Sequence, residues 1–153
     1  MHASILSIML KNFWNIWFTV FFLFLAILLT AWLDTLQKLP SDIRFFDSLL
    51  IAFAVFRLTR LSVYDAITSY IREWFSHSGE NTCCGTIHVL ITCPWCIGLW
   101  YALLVTFFFF ATPYAWFPIF FLAVAGSATF LQLLANLIGW HAEGKKIDVQ
   151  SRM

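Results

Sequence analysis

Charged side chains are scarce in this chain. Asp, Glu, Lys and Arg make up 11% of its 153 residues, against roughly a quarter in a soluble globular domain. Too few remain to cover a water-facing surface, and 61% of the residues are hydrophobic. The net charge of +1 supplies no basic stripe that could neutralise several phosphates together, which argues against nucleic acid as a partner. Also missing are a glycine-rich phosphate loop, a serine nucleophile elbow and a zinc-protease histidine pair. His2, His77, His88 and His141 are scattered and form no ligand set by themselves. There is no internal repeat and no low-complexity tract beyond the phenylalanines at 107–110.

What is present is a series of long apolar runs. The length suits one domain, and four membrane spans with short connections would use nearly all of it, leaving no room for a separate soluble catalytic domain. The first run, Phe13 to Leu33, is long enough as a helix rising about 1.5 Å per residue to cross a hydrocarbon core of roughly 30 Å. Its length and its poor cleavage site, Thr30-Ala31-Trp32-Leu33-Asp34, set it apart from a signal peptide, so it is expected to be retained. A second span is expected over 46–64, although Asp47, Arg57 and Arg60 interrupt it and leave a re-entrant or interfacial helix as the competing reading. The third and fourth spans, 94–112 and 116–138, are joined at Thr112-Pro113-Tyr114-Ala115, a tight helical hairpin.

Between the second and third spans, Ile67, Tyr70, Ile71, Trp74 and Phe75 alternate with polar residues at helical spacing. This predicts an amphipathic helix over 66–76, lying in the headgroup region or packed on the bundle. A cysteine-bearing loop over 77–96 follows, polar through its first part. The expected fold class is therefore all-α: a polytopic integral membrane protein, four transmembrane helices and one interfacial amphipathic helix.

Four spans put both termini on one side with the long loop. That side then carries Lys11, Arg72, Lys145, Lys146 and Arg152, against Lys38 and Arg44 opposite, which predicts cytoplasmic termini. Trp14, Trp17 and Trp140 fall at one interface and Trp32 and Trp116 at the other, where indole rings prefer to sit.

Two groups of residues could carry chemistry. Cys83, Cys84, Cys93 and Cys96 lie close together in the sequence, and in a reducing cytoplasm such a cluster points to metal or catalysis rather than to a structural disulfide. With His88 they are candidate zinc ligands, although the adjacent Cys83-Cys84 departs from two spaced pairs. For thiol-disulfide exchange, Cys93 stands at an N-cap position, Pro94 at the first helical position and Cys96 in the first turn, where the helix dipole favours thiolate. Four-helix membrane oxidoreductases that pass electrons from dithiols to quinones hold such a pair at a helix end, but on the oxidising side, opposite to the face expected here. The bland alternative has Pro94 and Gly98 shaping the start of the third span and the cysteines packing as small apolar residues.

The second group is Arg57 and Arg60, which share a helical stripe with Tyr64 and Thr68. Arginine at membrane depth faces the bundle interior or snorkels to the headgroups. Gln132 and Asn136, one turn apart in the inner half of the fourth span, are the expected hydrogen-bond partners under parallel packing. Ala123, Ala125, Gly126, Ser127 and Ala128 permit close helix approach, within this fold or in a homo-oligomer.

The segments Ala54-Val55-Phe56-Arg57-Leu58-Thr59-Arg60-Leu61, Val63-Tyr64-Asp65 and Cys93-Pro94-Trp95-Cys96-Ile97-Gly98-Leu99-Trp100 together resemble an uncharacterised bacterial and phage membrane-protein family, domain of unknown function 1360. The resemblance covers about 49–138. It implies that Arg57, Arg60, Asp65, Cys93, Trp95, Cys96, Gly98 and Trp100 are the residues on which the family's role depends. It also implies a location in the bacterial inner (plasma) membrane, with the first span added to a three-span core and Cys83-Cys84 outside the pattern. The leading expectation is a non-enzymatic interaction or structural role through the Arg and Cys motifs, with the lipid bilayer and a second copy or another membrane or cytoplasmic protein as partners. The enzyme alternative is a thiol-disulfide oxidoreductase using Cys93 and Cys96. A small transporter or channel subunit is the third reading, thinly based on one arginine pair.

Overall fold

The computed structural model describes residues 2–38, 40, 42–76 and 83–151, with 2–12, 142 and 144–151 as helical backbone alone. The polar loop expected from residue 77 lies outside the described residues as far as 82, as do the side chains of Lys11, Lys145, Lys146 and Arg152 that bear on orientation. The chain is all-α, with no strand among the described residues. Its helices are α1 (His2–Thr35), α2 (Phe45–Val63), α3 (Ser69–Ser76), α4 (Cys83–Thr92), α5 (Pro94–Ala111) and α6 (Trp116–Ser151).

Three helical stretches are long and apolar enough to cross a membrane, Phe13–Thr35, Pro94–Ala111 and Pro113–His141. Of the four spans expected, the second, over 46–64, is not among these three. With 19 residues α2 has the length, but Asp47, Arg57 and Arg60 interrupt its apolar character. Yet α2 is the central helix. Its Ala54 is fully buried and packs with Val105, Ile119 and Ala123. Thr59 lies against Gly98, and Val55 lines a groove with Ala102 and Thr106, so α2 and α5 run antiparallel. Ala54 meets Ile119 and Ala123, Arg57 lies over Gly126, and the Phe56 ring meets that of Phe130, so α2 and α6 run parallel.

The hairpin between α5 and α6 is present as a 3-10 turn over Pro113–Ala115. The two helices do not pack along each other as a tight hairpin would, because α2 lies between them. The small residues explain how: a Cβ on Gly126 would stand 2.2 Å from the Phe53 carbonyl oxygen, so only glycine lets α2 and α6 approach so closely. Meanwhile α1 packs at the edge, stacking Trp32 on Phe107 and Phe21 on Trp100. It ends in a left-handed turn at Gln37 (φ 54°), after which Lys38 Nζ donates to the carbonyl of Ala111, the last residue of α5. That carbonyl has no partner inside its own helix.

The outside of the bundle is apolar. Phe24, Ile27, Phe117 and Ile138 are exposed on α1 and α6, far more apolar surface than a water-soluble monomer presents. The predicted amphipathic segment forms a 3-10 turn over Ala66–Thr68 followed by α3. Its apolar residues divide: Ile71 and Phe75 are half-buried, while Ile67, Tyr70 and Trp74 are exposed. The cysteine loop expected over 77–96 is corrected in its second half, where Cys83–Thr92 is a helix. The run Ile87-His88-Val89-Leu90-Ile91 is apolar enough for helix, and only Cys93, before Pro94, interrupts it.

Candidate functional site at the end of α2

Helix α2 stops at Val63, and its last carbonyls need partners. The Arg60 carbonyl accepts from the backbone N–H groups of Tyr64 and Asp65, at 2.9 and 3.2 Å. The chain then turns back, and side chains from the turn and α3 supply the rest. Thr68 Oγ1 donates to the Leu61 carbonyl at 2.6 Å. Arg72 Nη1 donates to the Ser62 carbonyl at 2.6 Å and to Thr68 Oγ1 at 3.0 Å, and both its terminal nitrogens reach the Asp65 carbonyl at 3.3 Å. A guanidinium at a helix C-terminus also offsets the negative end of the dipole.

The Asp65 side chain, held by this turn, accepts from Arg57 Nη2 at 3.0 Å, with the two side chains only 24% and 30% exposed. Arg57 thus has an acidic partner, and a local one. Arg60 lies over the Tyr64 ring, its guanidinium carbon 4.9 Å from the ring centre. The expected pairing of these arginines with Gln132 and Asn136 is not what forms. Both amides are exposed on α6 and bond to each other at 3.3 Å. Parallel packing does bring the two helices alongside, but the nearer carboxylate and aromatic ring satisfy the arginines. Ser62 and Tyr101 share a further hydrogen bond that ties α2 to α5.

Cys93 and Cys96 meet at the start of α5. Cys93 takes the N-cap position with extended backbone (φ −89°, ψ 111°), and Pro94 follows in the first turn. Hydrogen bonds from the Cys96 side chain and backbone N–H hold the Cys93 thiol below its ordinary value, outweighing the opposing effect of burial. Cys96 also lines a cavity of about 460 Å³ between α1, α4 and α5, with Asn15, Phe18, Phe22, Val89 and Trp100 among its walls. Trp95 is strongly exposed, and Trp100 packs on Phe21 and Phe22 of α1. All four cysteines are free thiols.

The zinc set does not come together. Cys83 and Cys84 open α4, whose ten residues put them about 15 Å from Cys93 along the helix. Among the described residues no three His, Cys, Asp or Glu side chains converge as a metal would require. Sequence reasoning missed the roles of Thr68 and Arg72. Their i, i+4 spacing just beyond the end of a helix, with the same turn carrying Asp65, is the signal that could have found them.

These features define an all-helical protein with three helices of membrane-crossing character around a central, less apolar helix tied down by arginines. The chain belongs to the family described as Protein of unknown function (DUF1360), which matches residues 50–88 and 79–135. The matched stretch holds the Arg57–Asp65 pair, Thr68, Arg72, both close cysteines and Gly126, and leaves α1 outside. The chain is similar to the UPF0713 protein YngL of Bacillus subtilis (strain 168), 31% identical over 100 residues, covering 58% of this chain and 77% of the relative. No solved structure matches it.

Proposed function

We propose that this is a non-enzymatic protein of the bacterial plasma membrane, in which α1, α2, α5 and α6 each cross the bilayer, the termini are cytoplasmic, and α3 and α4 offer a surface to a protein partner or a second copy. The arrangement of Arg57, Asp65, Thr68 and Arg72 carries this reading, because their polar groups satisfy one another and the end of a helix. A catalytic site would leave such groups facing a substrate. Pairing Arg57 with Asp65 also reduces the cost of placing α2 in hydrocarbon. On α3 and the turn before it, the exposed row Ile67, Tyr70 and Trp74 supplies an apolar contact surface. A photo-reactive residue in place of Trp74 should give, in intact cells, a protein adduct of defined mass. Adducts to lipid alone would contradict the partner reading.

A second reading, thiol-disulfide exchange, is favoured by one observation: the Cys93 sulfur is hydrogen-bonded by Cys96, which itself borders an apolar cavity. Purified protein with both thiols reduced would then reduce a disulfide peptide to its dithiol, Cys93 and Cys96 ending as a disulfide, and Cys93→Ser and Cys96→Ser would each abolish the exchange. Unchanged exchange in both variants would remove this reading.

A further inference from the structure

Three arginines and one aspartate meet at the end of α2, and their charges do not cancel. Arg57 is paired with Asp65, and Arg72 is directed onto carbonyl oxygens and the Thr68 hydroxyl. Among the described residues Arg60 has no acidic partner, and its Nε is buried without an acceptor. Its guanidinium carbon stands 4.9 Å from the centre of the Tyr64 ring, a cation–π contact, and a guanidinium carries five N–H donors. Tyr64 is exposed, so this cation–π pair reaches the surface.

We infer that Arg60 and Tyr64 form a binding site for a phosphate oxyanion, drawn from an anionic lipid headgroup or from dissolved phosphate. The fork of a guanidinium matches the spacing of phosphate oxygens, and a phenol hydroxyl adds a further donor. The negative end of the α2 dipole would oppose an anion here, but Arg72 and Thr68 already donate onto the terminal carbonyls of Ser62 and Leu61 and blunt it. The internal competitor, Asp65, is held by Arg57. The lipid source rests on the reading of α2 as a membrane span: Arg60 lies one turn from its end at Val63, within reach of headgroups.

The test uses the full-length protein in a neutral detergent, read by native mass spectrometry during titration with phosphatidylglycerol, with inorganic phosphate as competitor. The wild type is expected to retain the lipid at least tenfold more strongly than Arg60→Gln. Competition by millimolar phosphate assigns the site to a dissolved anion, and its absence assigns it to lipid, either outcome supporting an oxyanion site. Tyr64→Leu, which keeps the cation and removes the ring and its hydroxyl, is expected to weaken retention severalfold and serves if Arg60→Gln does not fold. Wild-type retention in the folded variants overturns the inference. Since the measurement is made without a bilayer, its failure is distinct from a failure of α2 to cross one.

Discussion

Arg57 and Asp65 stand on either side of the end of α2 and are joined at 3.0 Å, with both side chains largely withdrawn from solvent. The helix stops at Val63, and the reversal of the chain after Tyr64 brings the carboxylate back to the arginine two turns earlier. A charge that would oppose burial is thereby neutralised within one short segment.

Asp65→Asn should strand Arg57. For a half-buried pair, the expected loss is about 1–2 kcal/mol, between the values for exposed and buried ion pairs. Thermal unfolding in detergent measures it. A double variant with Arg57→Gln should recover part of the loss, since neither residue then leaves an unpaired charge.

Arg72→Gln removes the guanidinium from the Ser62 and Asp65 carbonyls. The expected cost is about 1–2 kcal/mol, typical of hydrogen bonds to a charged group. Because α3 is held to α2 through this side chain, proteolysis should cut the segment around α3 in the variant before any cut appears in α5 or α6.

Three glycines should respond differently to alanine. At Gly126 a Cβ would meet the Phe53 carbonyl oxygen at 2.2 Å, so α2 and α6 must separate. An overpacking cost of about 1–3 kcal/mol is expected. At Gly98 the nearest atom is the Thr59 hydroxyl at 3.4 Å, an ordinary contact, and the change should be nearly neutral. At Gly139 nothing lies within 4 Å, and alanine should leave stability unchanged or raise it by up to about 1 kcal/mol through helix propensity. Melting temperatures of the three variants give the ranking.

The Cys93 thiol is held below its ordinary value by Cys96, and the thiolate is the form that alkylates. In a protein retaining only Cys93 and Cys96, labelling of Cys93 should therefore reach half its maximal rate at a lower pH than a free thiol does. Cys96→Ala removes the side-chain hydrogen bond and should move that midpoint upward. An unmoved midpoint would show that Cys96 does not hold the Cys93 thiolate.

Much of the helical framework is legible in the sequence because its signals are local. Apolar run length sets α1, α5 and α6, and the apolar spacing from Ile67 to Phe75 sets α3. Helix α4 is hidden because Cys83, Cys84 and Gly85 read as loop residues, while the apolar run that continues the helix is too short for a span. The partners of the arginines are hidden for another reason. Reading α2 as a straight helix sends Arg57 and Arg60 towards other spans, such as Gln132 and Asn136. The actual partners appear only once the turn after Val63 folds Asp65, Thr68 and Arg72 back onto the helix end. The central place of α2 is equally indirect: it depends on Gly126 meeting Phe53, a contact between residues far apart in the chain.

Whether α2 crosses the bilayer is tested most directly by labelling single cysteines with an impermeant thiol reagent in intact and permeabilised cells. One protein carries Asp42→Cys, in the segment between α1 and α2, with its native cysteines removed. A second keeps Cys93 alone. Position 42 should label in intact cells and Cys93 only after permeabilisation, placing the two ends of α2 on opposite faces. Labelling of both positions from the same side would contradict the account.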